Sequence, residues 1–290
     1  MKKIKQFYEK KYKLLLLIPV ILFILSIAQI GYQQYTTGSF AEKDLSLKGG
    51  YFVKLPYQDQ DILTLESQLT TSLERDVQVT TITTLGKIDS IQIETEVFDD
   101  VDFINDNIIE ATNIQESKFL SQGVVNASLG ESFFTETFRA VIIAFIVMAI
   151  VVFVYFRNLG PSMAIVAAAL FDIVMTMAIF NLLGFKLSTA AISAFLMLIG
   201  YSVDTDILLA TKVLKQKVST DINENIYAAM RTGLTMTITT IGALIVALVV
   251  AKSLVIRQIM IVLLIGLIVD IMNTWIMNVS ILRMYLDRKK

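Results

Sequence analysis

Four carboxylates interrupt stretches that otherwise read as hydrocarbon: Asp172 near the middle of 161–183, Asp204 and Asp206 in 187–212, and Asp270 in 258–282. An ionised Asp at the centre of a membrane helix costs on the order of 2.5–3.5 kcal/mol on insertion scales, so such residues face a bundle interior or a wet path and mark proton or ion movement. The chain has no His, and no Lys or Arg stands at comparable depth. The carboxyls must then be protonated, hydrated, bound to a cation, or hydrogen-bonded to neutral groups.

Helical spacing says which neutral groups are available. At 100° per residue, Ser193, Gly200, Asp204 and Thr211 fall near one line of the fourth apolar stretch, and Ser188, Ser202 and Asp206 form a second line roughly opposite. Polar lines on two faces imply a helix enclosed by neighbours. The fifth stretch presents Arg231, Thr235, Thr239 and Gly242, and the sixth presents Asp270, Thr274 and Asn278 at i, i+4 and i+8 with Asn273 beside them. The expected proton or cation pathway is therefore Asp172, Asp204, Asp206 and Asp270, supported by Tyr201, Ser202, Thr235, Thr239, Asn273 and Asn278. For the hydroxyl residues the plainer account is interhelical hydrogen bonding, which small and polar residues supply routinely in lipid. For Asp172 and Asp204 that account is weaker, because Asn or Thr would do the same packing at lower cost.

Two carboxyls on facing helices are also the chemistry of an intramembrane aspartyl protease. Those enzymes share a Tyr-Asp pair and a Gly-x-Gly-Asp run, whereas here Asp172 follows Phe171 and Gly200 leads into Tyr201-Ser202-Val203-Asp204. With no Cys and no His, thiol nucleophiles, disulfides, iron–sulfur sites, thiolate zinc sites and imidazole bases are all excluded. No catalytic residue, metal or cofactor is expected.

The elements that must position these groups are membrane helices. Among 290 residues 55% are hydrophobic and only 18% charged, and the mean hydropathy is +0.65. A span needs roughly 20 mainly apolar residues, and six stretches qualify, at 14–31, 139–156, 161–183, 187–212, 232–252 and 258–282. Lys and Arg concentrate on the cytoplasmic side of such proteins. Placing the N-terminus inside puts fifteen of them in the cytoplasm and only Lys186, Lys252 and Arg257 in the short outer loops, so both termini are expected to be cytoplasmic in a cell-membrane protein. The alternative for the first stretch is a cleaved signal peptide ending near Ser26 and Ala28, for which the apolar run is long.

Residues 32–139 hold 7 Lys/Arg and 18 Asp/Glu, a net of −11, while the rest of the chain has a net of +10. The expected organisation is a cytoplasmic N-terminus and first span over 1–31, an extracytoplasmic domain over 32–138, and a five-helix bundle over 139–290. In the outer domain, short alternating runs predict strands at Tyr51–Leu55, Val77–Ile82, Ser90–Val97 and within Phe119–Leu129. Helices are expected over Asp59–Glu74 and about Asp100–Ala111, with Phe103, Ile104 and Ile108 inward. The order strand, helix, strand, strand, helix, strand predicts a ferredoxin-like α+β fold. Asp99, Asp100 and Asp102 lack the glycine and terminal Glu of a calcium loop and are assigned to a helix N-terminus. The fold class is thus a polytopic α-helical membrane protein with an α+β domain between its first and second spans.

The run Ile199-Gly200-Tyr201-Ser202-Val203-Asp204-Thr205-Asp206 resembles the fourth-span signature of the SecF family, the smaller partner of the SecD/SecF export pair in the resistance-nodulation-division superfamily. Leu47-Lys48-Gly49-Gly50, Asn158-Leu159-Gly160-Pro161, Ala168 to Asp172, Arg231-Thr232-Gly233-Leu234-Thr235 and Thr239-Thr240 match further family patterns, so the resemblance covers nearly the whole chain. It makes Gly49, Gly50, Gly160, Pro161, Gly200 and Gly233 structural motif positions, and Asp172 the counterpart of the aspartate that the family uses in proton coupling. It implies proton-driven assistance to unfolded polypeptides passing the SecY channel complex, with a SecD-like subunit as partner. Bacterial members often carry His where this chain has Phe171, and an Asp-Arg pair where it has Thr211-Lys212. The Asp204-Thr205-Asp206 run and the span from Asp270 to Asn278 are more similar to archaeal members, which lack the SecA motor. Half of a small-molecule or lipid exporter of the same superfamily, and a passive scaffold for a partner, remain as alternatives. Gly242, Ala243 and Ala247 permit close helix contact. The basic loop from Lys212 to Arg231 suits anionic lipid or the channel, although such loops also simply obey the orientation rule. Nothing points to nucleic acid.

Overall fold

The computed structural model describes residues 8, 11–75, 77–84, 87–95, 100–125, 127–215, 221–251 and 253–288. Six helices in it are long and apolar enough to cross a membrane: Tyr12–Thr37, Phe134–Phe156, Leu159–Leu182, Thr189–Leu214, Ile222–Val250 and Leu254–Asp287, the first to sixth spans. The second belongs to a longer helix, Ala127–Phe156. The last predicted strand therefore stops at Val125, and residues 127–129, expected within it, are already helical.

Between the first two spans lies the α+β domain. Its strands β1 (Gly50–Pro56), β2 (Val77–Thr84), β3 (Lys87–Thr95) and β4 (Ser121–Val125) form one antiparallel sheet in the order β2-β3-β1-β4. Two helices, α1 (Ile62–Leu73) and α2 (Val101–Thr112), complete the ferredoxin-like arrangement. Each starts on an aspartate whose carboxylate accepts from a backbone N–H of the first turn, Asp61 from Leu63 and Asp100 from Phe103. Asp99 lies outside the described residues. Alternation places Tyr51, Val53 and Leu55 of β1, with Ile91 and Ile93 of β3, against Leu65, Leu69, Ile104 and Ile108. Phe103 was expected inward with them but is 52% exposed: its neighbours Ile104 and Ile108 fill the stripe one residue further round the helix.

The opposite face of the sheet looks onto the bundle. Phe52, Lys54, Gln78, Thr80, Gln92 and Glu94 roof a cavity of about 690 Å³ whose floor is the loop between the third and fourth spans and the start of the sixth. A strap of chain from Phe40 to Lys48 joins the first span to β1 and is fastened to that loop by its backbone. Lys43 and Leu187 form a parallel bridge, Asp44 N–H donates to the Leu187 carbonyl at 2.8 Å, and Leu187 N–H donates to the Glu42 carbonyl at 2.6 Å. Asn181 adds a side-chain bond to the Phe40 carbonyl at 2.8 Å, and Lys186 donates to Gln78 in β2. At the end of the strap Gly49 and Gly50 have φ of 81° and 145°, and a Cβ on Gly50 would strike Leu45 and the Thr95 carbonyl, so glycine is required there.

Within the bundle, two apolar clusters lie at successive depths. One gathers Phe180, Leu187, Phe195, Leu198 and Leu263 beneath the strap; the other gathers Phe156, Ile165, Leu209, Trp275 and Leu282. The polar residues of the third, fourth and sixth spans occupy the zone where the two meet.

Candidate functional site

Local structure decides which carboxyls enter the interior. Asp172 follows Phe171, whose ring stacks on Phe23 of the first span at 3.7 Å between centroids, so Phe171 faces outward and Asp172 inward. In the fourth span the two polar lines separate. Ser188, Ser202 and Asp206 are buried, whereas Gly200, Tyr201 and Asp204 lie on the exposed side. The sixth span changes pitch at Asn273–Asn278, a π-helical turn that widens the helix. That widening brings Asn273, Thr274 and Asn278 to the interior together, all with 0% exposure. The Trp275 carbonyl within the turn accepts from the Tyr8 hydroxyl, and the indole lies over Gly233, where a Cβ would collide with it.

The result is a closed network of three carboxyls and their neutral partners. Asp172 accepts from the Ser202 hydroxyl and, at 2.7 Å, from Asn273 Nδ2. Asp206 Oδ1 accepts from Asn278 Nδ2 at 2.6 Å and lies 3.0 Å from the Thr274 hydroxyl. Asp270 Oδ1 lies 3.0 Å from the same hydroxyl, and both its oxygens lie 3.2 Å from Thr205 Oγ1. All three aspartates are 0% exposed. Acceptors outnumber donors: Asp206 Oδ2, Asn273 Oδ1 and Asn278 Oδ1 are buried without a hydrogen-bond partner among the described residues. Carboxyls with neutral donors and spare acceptor oxygens can hold protons or water, and can exchange protons through the intervening hydroxyls.

The remaining expected residues lie elsewhere. Thr235 and Thr239 are exposed on the fifth span and donate to carbonyls of their own helix, at 2.8 Å to Arg231 and 3.0 Å to Thr235. Gly200 has open space where a Cβ would stand, whereas Gly160 lies against the Tyr285 ring. Pro161 is buried in the first turn of the third span, where its missing N–H costs nothing. Lys212 ties the fourth span to the fifth through Thr232, at 2.9 Å. Thr205 and Thr274 are the bridging groups that the list of expected supporting residues lacks. Thr205 falls between the two polar lines of the helical projection, and Thr274 sat on the right line without being singled out.

Outside the membrane, burial lifts the carboxyls of Asp44 and Glu94 above their ordinary range; the neighbouring Asp44 charge raises Glu94 further, and Lys186 opposes the shift in both.

With the geometry in place, residues 105–288 match the family model described as the protein export membrane protein SecD/SecF, C-terminal. The protein-export membrane protein SecF of Methanocaldococcus jannaschii is 39% identical over 286 residues, 96% of each chain. That of Pyrococcus furiosus is 35% identical over 292 residues, 99% of this chain and 96% of the other. A crystal structure of SecDF, a translocon-associated membrane protein from Thermus, matches 96% of this chain with a TM-score of 0.76 at 16% identity, a likeness of fold; the chain spans 38% of that protein's length. Similarity at this level and over this length places the chain in the SecF family of protein-export membrane proteins, among its archaeal members.

Proposed function

We propose that the chain is the SecF-type subunit of a SecD/SecF-like assembly that uses the proton gradient to help unfolded polypeptides through the Sec channel. The observation that carries this reading is a buried cluster of three aspartates with neutral partners, inside a chain of the SecF family. Such a cluster is expensive for packing alone and suited to loading and releasing protons. One elementary charge crossing the membrane yields about 2.3 kcal/mol per 100 mV, enough for a few protons to bias a domain movement.

The route from protons to movement runs through the third and fourth spans. They carry Asp172, Ser202 and Asp206, and the loop between them holds the strap of the outer domain. A change of protonation that alters the packing of these spans tilts the domain against an emerging chain. The charge distribution puts both termini in the cytoplasm and the acidic domain outside. The exposed intramembrane carboxylate Asp204 belongs under a partner rather than in lipid, and a SecD-like subunit is that partner.

Two measurements test the reading. Affinity purification from native membranes in mild detergent, followed by mass spectrometry, should recover a SecD-like six-span chain with channel subunits; recovery of the chain alone, or with unrelated membrane enzymes, would favour an exporter of small molecules or lipids. Asp172→Asn should abolish gradient-dependent export while leaving assembly intact, and unchanged export would remove proton coupling from the proposal.

A further inference from the structure

Thr274 stands where one hydroxyl proton is too few. Its Oγ1 lies 3.0 Å from Oδ1 of Asp206 and 3.0 Å from Oδ1 of Asp270, and all three residues are fully buried. A hydroxyl has a single proton and donates once. With both carboxyls ionised, one of the two contacts would set oxygen against oxygen with no hydrogen between them, in surroundings where that costs most. Thr205 does not make up the deficit: its nearest acceptor is the Ser202 carbonyl at 2.8 Å, with the Asp270 oxygens further off at 3.2 Å. The two Thr274 contacts are both complete when one carboxyl is protonated. That carboxyl donates to Thr274 Oγ1, and Thr274 donates onward to the other, which is ionised. Asn278 Nδ2, at 2.6 Å, serves a charge on Asp206.

We propose that Asp206 and Asp270 hold one proton between them and that the Thr274 hydroxyl passes it across. In the transfer the O–H bond of one carboxyl breaks as Thr274 Oγ1 takes that proton, and the original O–H bond of Thr274 breaks as the other carboxylate takes its proton. The hydroxyl is regenerated and the negative charge moves between the fourth and sixth spans. Asp172 is a separate station, because Ser202 and Asn273 already serve its two oxygens. The inference rests on the proton-coupled reading and adds to it a relay residue and a shared proton.

The test compares Thr274→Val, Thr274→Ser, Asp206→Asn and Asp270→Asn in native membranes, with export measured in the presence and absence of an imposed proton gradient. Infrared difference spectra of the purified chain over pH report the carbonyl stretch of protonated carboxyls. Thr274→Val keeps the shape and loses the hydroxyl; it should cut the gradient-dependent increment by about 10-fold or more, on the scale of a positioned proton-transfer group, and shift the carboxyl band. Thr274→Ser should restore both. If the valine variant fails to assemble, Thr274→Ala against Thr274→Ser gives the same contrast. A wild-type increment and band in Thr274→Val or Thr274→Ala would overturn the relay, as would the absence of any protonated-carboxyl band in the wild type. If Asp206→Asn and Asp270→Asn also export normally, the proton-coupled reading fails with it; if they abolish the increment while the hydroxyl variants keep it, the relay alone fails.

Discussion

The outer domain and the membrane bundle bury polar groups on opposite terms. Under the sheet the core is Val53, Leu55, Leu69, Ile91, Ile93 and Ile108, and a buried polar group such as Asn105 accepts one bond from the Tyr51 hydroxyl at 2.7 Å. In the bundle, Asp172, Asp206, Asp270, Asn273, Thr274 and Asn278 are all at 0% exposure and are bonded mainly to one another. Water drives the first arrangement, because apolar area removed from it stabilises the fold. In lipid that drive between helices is absent, so packing and interhelical hydrogen bonds hold the bundle. The lesson is that a polar centre can serve a membrane bundle structurally while the same composition would weaken the domain outside.

Substitutions in the two regions should therefore diverge. Leu69→Ala, under the sheet, should lose about 2–5 kcal/mol of domain stability, seen as faster hydrogen exchange throughout β1 and β3 of the full chain; Asp172→Asn should leave the thermal midpoint in detergent nearly unchanged while export fails. Equal thermal losses in both would erase the contrast. Asn278→Leu removes the 2.6 Å donor of Asp206 and should cost about 1.5–3 kcal/mol, the range for hydrogen bonds to charged groups. Gly233→Ala drives a methyl into the Trp275 ring and should cost about 1–3 kcal/mol by overpacking; an unchanged melting temperature would mean that the π-helical turn yields.

The smallest effect lies between the regions. Burial in the cleft raises the carboxyls of Asp44 and Glu94, with Lys186 opposing. A carboxyl with a higher pKa in the closed cleft than in water favours closure below the ordinary carboxylate range, and that advantage is lost as pH rises through the raised value. The cleft should open with rising pH, measured as a longer spin-label distance between positions 92 and 255, and Glu94→Gln should flatten the response.

Much of this arrangement was legible before any coordinates. Length and hydropathy located the six spans, and strand alternation located the sheet, because both periods follow from backbone geometry. The helical projection split the fourth span into the two faces that the structure displays. It could not say which face was inward: Asp204 and Asp206 have the same chemistry, and the choice belongs to neighbouring helices. Nor could a uniform 100° step foresee the π-helical turn, which carries Asn273 onto the face of Thr274 and Asn278. The bridging role of Thr205 depends on Asp270, 65 residues away, and no local pattern reports that contact.

The strap that holds the outer domain is fastened to the bundle by N–H and C=O groups of residues 42–44 and 187. Peptide groups are the same for every amino acid except proline, which lacks the N–H. The backbone joint itself is therefore indifferent to the side chains at 42 and 43 and is disturbed by an insertion, a deletion or a proline at 44 or 187, whereas Ala41 and Leu47 on either side of it are held by their burial in the core.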